Sequence, residues 1–331
     1  MEHKHHKNAR ILIVTCLITT LSGCGLPRIS KATNDFDKGV QSAGASITQF
    51  YKNLNDYRRD VYVEQLQLDP KRTIDRTDVN DKPTPWIKWL SEDAIKSRVL
   101  AIEGLTAYTS GLAALANSDA PERTEKSIVA IGAKVKSISN NLNSLQPGQN
   151  SVAIPDYATP IAGIASIVGK YWVQGKKEDS LRKCIDEGGE DVKKVLNYLE
   201  KDLADIHKYL YKTDASYNLA LMENYYNNNY VSDDPQKIKE LIANDKRTAF
   251  LKKSAESAKK LAYIDTANPV ELVGKMRKVH DKLLLCVHPT KEHPYPLDEL
   301  LGEMQLFLAE ANRIAEAVEQ LKELSEKKGD K

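Results

Sequence analysis

Between residues 32 and 69 the apolar positions Phe36, Val40, Ala43, Ile47, Phe50, Leu54, Tyr57 and Val61 recur at alternating steps of four and three. Side chains three and four apart share a helix face, so this spacing predicts one long helix with a narrow apolar seam, as in bundles and coiled coils. Pro70 removes a backbone donor and closes it. The stretch from 70 to 90 is polar, carries Pro83 and Pro85, and finishes on Trp86 and Trp89. It reads as an irregular crossing whose tryptophans cover a core.

Ser91 with Glu92 and Asp93 behind it has the form of a helix N-cap and acidic first turn. Ile95, Val99, Ile102, Leu105, Leu112 and Leu115 give the second helix its inner side. Asp119 and Pro121 open a third, with Ile128, Ile131, Val135, Ile138, Leu142 and Leu145 inside. After a loop with three prolines between 146 and 160 comes PIAGIASIVGKYWV, the most apolar stretch beyond the first thirty residues. Gly188 and Gly189 are expected to break or kink the next helix. The seam then resumes through Val192, Leu196, Leu199, Leu203, Ile206, Leu210 and Tyr217.

Residues 225 to 230, YYNNNY, read as a helix end and turn, and Asp234 followed by Pro235 reads as the cap and first residue of another helix. Its inner face is less regular: Ile238, Leu241, Phe250, Ala258 and Leu261. Asn268 and Pro269 start a helix with Val270, Val273, Met276, Leu283 and Leu284 inside. Past the loop 288–296, a final helix carries Leu300, Met304, Leu308, Ala311, Ile314, Val318 and Leu321. The fold class is therefore all-α: an elongated antiparallel bundle of seven or eight helices, several of about 30 residues and about 45 Å. A single domain over 32–331 is expected, any division falling near 188–189 or 227–234.

The first thirty residues follow a different rule. Lys4, Lys7 and Arg10 precede an uncharged run from Ile11 to Leu21. That is a basic n-region and a short apolar h-region, and a spanning helix would need about 20 apolar residues. The closing Leu21-Ser22-Gly23-Cys24 resembles the lipobox of bacterial lipoproteins. The resemblance implies a signal peptide over 1–23, cleavage between Gly23 and Cys24, diacylation of the Cys24 thiol, and a lipidated tether over 24–31. It also implies a lipid-anchored protein of the bacterial envelope. Gly25, in place of the aspartate that favours inner-membrane retention in that family, points to the outer membrane facing the periplasm.

Charge changes the picture once the leader is removed. The whole chain has 48 basic and 46 acidic side chains, and loss of residues 1–23 leaves 45 of each. A nucleic-acid binder needs a basic excess to neutralise phosphate, so no nucleic-acid partner is expected. Of the 4 cysteines, Cys16 leaves with the signal and Cys24 takes the lipid, so Cys184 and Cys286 are the candidate disulfide.

Candidate chemistry is sparse. Cys286, His288 and His293 form a local cluster of metal-ligand types, but no second ligand pair stands at finger-like spacing. No metal and no cofactor are expected. G-x-S-x-G, P-loop and dinucleotide motifs are absent. Asp202, Asp205, Glu310, Glu316 and Glu319 are expected on solvated faces, and His207 as a partly packed surface residue.

The leading reading is a membrane-anchored helical module that binds a protein partner or organises structure, and is not an enzyme. A second reading assigns membrane activity to the apolar segment 160–173, through Ile161, Ile164, Ile167, Val168, Tyr171 and Trp172. That plan loosely resembles helical pore-forming toxins of bacteria, in pattern alone. An enzyme assembled from dispersed carboxylates with His207 or His288 is the third alternative.

Overall fold

The computed structural model describes residues 26–69, 71–73, 90–117, 121–145, 155–172, 177–208, 215–266, 268–287 and 297–326, and among these every regular element is a helix. In chain order they are α1 Leu26–Leu68, α2 Glu92–Ala116, α3 Pro121–Ser144, α4 Ala158–Trp172 and α5 Lys177–Ile206. There follow α6 Ala215–Tyr230, α7 Pro235–Ile242, α8 Asp245–Thr266, α9 Pro269–Val287 and α10 Leu297–Glu326.

α1 begins at Leu26, inside the segment expected to be a tether, and runs 43 residues. Its seam faces inward: Phe36, Val40, Ala43, Ile47, Phe50, Leu54 and Val61 are buried. Ile29 extends the seam, and further buried positions, Ala32, Tyr51 and Tyr62 among them, broaden it because α2 and α10 both pack on this helix. α1 and α2 run antiparallel, and polar contacts set their register. Asp37 accepts hydrogen bonds from Thr109 at 2.9 Å and Ser110 at 2.8 Å. Further along, the Asn55 side chain donates to the Leu90 carbonyl at 2.8 Å and accepts from the Leu90 amide at 3.1 Å.

Ser91 caps α2 as expected from sequence, its hydroxyl accepting from the Ala94 amide at 3.1 Å. This helix is buried on more than one side because α1, α3, α4 and α5 all touch it. It is the one described helix long and apolar enough to cross a membrane, and 67% of that apolar window is covered by the rest of the protein.

Ion pairs give the same antiparallel sense elsewhere. Glu187 of α5 meets Lys170 of α4 at 3.0 Å. Arg277 of α9 meets Glu200 of α5 at 3.1 Å, and Lys193 meets Asp281 at 3.6 Å. Lys275 of α9 meets Glu310 of α10 at 3.1 Å.

Several expectations change, and residues 225 to 230, read as a helix end and turn, are helical through Tyr230. α5 continues through Gly188 and Gly189, which neither end nor divide it. Their missing side chains admit neighbours: a Cβ at Gly189 would lie 2.7 Å from a Leu284 methyl, and one at Gly188 3.2 Å from the Tyr108 ring. Of the seam expected from Val192 to Tyr217, the part through Ile206 is buried on α5, Leu210 lies outside the described residues, and Tyr217 lies on α6 and is 48% exposed. The helix expected from Asp234 onward is two, α7 and α8, separated at Ala243 and Asn244. These two divisions account for more helical segments than the seven or eight expected.

The inner face expected on that last segment also fails. Ile238 and Ala258 are exposed and Leu241, Phe250 and Leu261 only partly covered, whereas Lys260 and Ile264 are buried. With so few neighbours on α7 and the start of α8, periodicity there has nothing to face.

Candidate functional site

Arg98 is the largest fully buried side chain among the described residues. It stands in the second turn of α2, where the chain's need to pack four helices around α2 leaves its guanidinium without water. Asp202 on α5 answers the charge with two hydrogen bonds, from Nε at 2.7 Å and Nη2 at 2.5 Å. Such a parallel pair suits the planar fork of arginine. The Ala94 carbonyl takes a third at 2.8 Å, and the Tyr51 hydroxyl of α1 donates to Asp202 at 2.8 Å.

Burial opposes the Arg98 charge, and the Asp202 hydrogen bonds and charge outweigh that cost, so its pKa rises. Burial and then the Asp202 charge push Tyr51 well above its ordinary range. Tyr157, just before α4, is raised for the same reasons. Asp202 therefore sits 7% exposed among the helices rather than on the solvated face expected for it. Glu310 is likewise buried, and hydrogen bonds from Arg313 and then Lys275 outweigh burial and hold its carboxyl below the usual range. Arg98 and Asp202 saturate each other, so this network joins α1, α2 and α5 and presents no free base or nucleophile.

A second buried group has no such partners. His280 of α9 is wholly buried, and neither ring nitrogen has a hydrogen bond. Its ring centroid lies 6.2 Å from that of Tyr108 and 6.4 Å from that of Phe36. Burial, with a smaller contribution from Lys193, lowers its pKa to about 4. The Tyr108 hydroxyl is also unpartnered. A neutral imidazole among aromatic rings is a core residue here, with no acid beside it to make a catalytic pair.

A shallow cleft opens between α1, α6 and α8, lined by Tyr57, Asp60, Glu64, Asn218, Ser257 and Lys260 among others. It encloses about 340 Å³ of free space, part of it open solvent. Asn218 donates to Glu64 at 2.7 Å while its own carbonyl oxygen has no partner. Val61 and Ala215 complete a lining that mixes apolar with polar groups.

Beyond the cleft, α6 and α8 are held together by rings rather than by a core. Phe250 meets Tyr225 at 5.1 Å, Tyr230 at 5.8 Å and Tyr226 at 6.4 Å between centroids. Arg247 donates to the Tyr226 hydroxyl at 2.6 Å. α7 has no buried residue, and Val231, Ile238, Ile242 and Leu251 are 53%, 38%, 67% and 41% exposed.

The residues singled out from sequence fall as follows. Gly23, Cys24, His288 and His293 lie outside the described residues. Cys184 and Cys286 are buried free thiols, not a bridge. The α5–α9 register, read from Gly189 against Leu284 and Lys193 against Asp281, brings Cys286 level with residue 187, about one turn from Cys184. Burial pushes the two thiols up to about 12 and about 11. Among the described residues no cluster of three or more His, Cys, Asp or Glu side chains can hold a metal. His207 is partly buried, with Nε2 3.4 Å from the Ile264 carbonyl oxygen.

In the apolar segment, Ile161, Ile164, Val168 and Tyr171 are buried and Ile167 partly so, against α2, α3 and α5. Trp172 ends α4, and its side chain lies outside the described residues. Sequence reasoning missed Arg98 and His280. Each occupies an inward position of its helix series, and that position was the available signal. No protein-family model, curated protein or solved structure matches the chain.

Proposed function

We propose that this chain is a bacterial envelope lipoprotein, held through acylated Cys24, whose elongated antiparallel helical bundle acts as a binding or structural module and not as a catalyst. The observation that carries the reading is how the molecule distributes its groups. Its deepest charges, Arg98 and Asp202, are consumed by each other, while among the described residues five of the seven exposed large apolar side chains, Tyr217, Val231, Ile238, Ile242 and Leu251, lie on the α6–α8 hairpin, the other two being Tyr198 on α5 and Leu306 on α10. An enzyme of this kind would need a reactive group open to substrate. The balanced charge of the chain after residue 23 argues against a nucleic-acid partner.

The proposed location is the outer membrane, facing the periplasm, because Gly25 follows the cysteine. Two acyl chains or more give a stable hold on a bilayer where one does not. Metabolic labelling with a fatty acid tests the anchor: label is expected in the wild type and lost in Cys24→Ala. Equal label in both would refute it. Crosslinked capture from envelopes, compared between wild type and Ile242→Asp, tests the binding role; identical captured sets would refute the assignment to the hairpin.

A further inference from the structure

The hairpin lies at a definite place in the molecule. α1 spans 43 residues, about 64 Å, from Leu26 outward. Lys253 of α8 donates to Gln67 at the far end of α1, at 2.8 Å, and the cleft joins Lys260 to Tyr57 and Glu64 further back. Passing from Lys260 to Lys253 therefore follows α1 toward its end, and the remaining eight residues to Asp245 continue about 12 Å past it. α7 sits at the tip, opposite the end that would carry a lipid.

The tip is amphipathic. On α7, Ile238, Leu241 and Ile242 fall at i, i+3 and i+4 and share one face, with none of the three buried. From 236 to 253 there are six basic side chains, Lys237, Lys239, Lys246, Arg247, Lys252 and Lys253, against two acidic ones, Glu240 and Asp245. That is a local excess of four, reduced to two when the exposed Asp233 and the capping Asp234 just ahead are counted. Asp234, just ahead, is taken up as the N-cap of α7, accepting from the Gln236 amide at 2.9 Å.

A short helix with an uncovered isoleucine and leucine face, flanking lysines and tyrosines behind it has the chemistry of an element that lies in a lipid headgroup layer. We propose that the α7 tip docks on an anionic lipid surface, inserting Ile238, Leu241 and Ile242 while the lysines meet the headgroups. The apolar residues stand out from the tip rather than lining a groove, which fits a continuous surface better than a shaped partner. The cleft lies further down the hairpin and takes no part. With Cys24 acylated, the two membrane contacts stand at opposite ends of α1, so the tip reaches a second surface. The tip's own affinity does not depend on acylation.

The test uses the chain without residues 1–24, which keeps every described helix and carries no lipid. Its cosedimentation is measured with phosphatidylcholine vesicles and with vesicles containing about 30% phosphatidylglycerol. Expected is binding to the anionic vesicles at least about ten-fold tighter than to the neutral ones, weakened several-fold as salt rises from about 0.1 M to about 1 M. Ile238→Asp with Ile242→Asp should reduce binding about ten-fold or more with unchanged helical circular dichroism, since both side chains are exposed. Lys237→Glu with Lys239→Glu should remove the anionic preference. The inference is overturned by no vesicle binding, by binding that survives Ile238→Asp/Ile242→Asp, or by binding to polyglutamate in place of vesicles.

Discussion

Replacing His280 by leucine removes two buried nitrogens that have no partner and keeps a side chain of similar bulk among Phe36 and Tyr108. The imidazole titrates at about 4 in the folded chain, against an ordinary value near 6.5 when unfolded. Its folded value is depressed, so below about pH 6.5 the unfolded chain binds a proton that the folded chain refuses. Stability is then lost as pH falls, and the loss is complete once pH is below about 4. The difference between about 4 folded and about 6.5 unfolded corresponds to about 3 kcal/mol in full, of which about 2 kcal/mol appears between pH 7 and pH 5. Urea unfolding followed by circular dichroism at those two pH values, in wild type and His280→Leu, measures it. Carboxylates also titrate over this range, so the informative quantity is the difference between the two proteins. His280→Leu should be as stable as wild type or more so at pH 7, because replacing an unsatisfied polar group by an apolar one is neutral or favourable. It should also lose about 2 kcal/mol less than wild type on going to pH 5. An identical pH dependence in both proteins would refute the reasoning, as would destabilisation of the size of a core truncation.

Three further outcomes are expected. Arg98→Met leaves Asp202 buried and unpaired and should cost about 3–5 kcal/mol in urea unfolding, whereas Arg98→Met with Asp202→Leu should recover most of it; equal losses would show that the pair is not coupled. Gly39→Ala sets a Cβ 2.8 Å from one ring carbon of the fully buried Phe307 and closer still to another. Overpacking of about 1–3 kcal/mol should then outweigh the gain of about 1 kcal/mol in helix propensity, read as a lower urea midpoint; an unchanged or higher midpoint would contradict the close packing of α1 on α10. The chain without residues 1–24, purified without reductant, should release two thiols to a disulfide reagent in denaturant and react slowly when folded, because burial holds Cys184 and Cys286 near 12 and 11; no free thiol in denaturant would mean a bridge.

Helix class, most helix starts and the main seams were legible along the chain, for local reasons. Ser91, Asp234 and Asn268 cap α2, α7 and α9 through their own side chains, and an interaction over two or three residues is written in the order of the residues themselves. The seam residues of α1, α5 and α10 turned inward because a 3–4 spacing selects one face whatever the partner is. The lipobox resemblance is local in the same sense.

Tertiary structure decided the rest. Whether a polar residue on an inward position is buried depends on what faces it. Asp202 lies inside because Arg98 comes from 104 positions earlier in the chain, and His280 lies inside because aromatic rings of α1 and α2 close around it. Gly188 and Gly189, read locally as a break, admit Tyr108 and Leu284 instead, since a glycine's cost in a helix is offset when a neighbour fills its space. Ile238 and Ile242 carry the spacing of a core and remain uncovered, because among the described residues no other helix packs closely on α7 at the tip of the hairpin, and Tyr217, at the hairpin's other end, is exposed as well. Periodicity determines which residues share a face; only the assembled helices determine whether that face is covered.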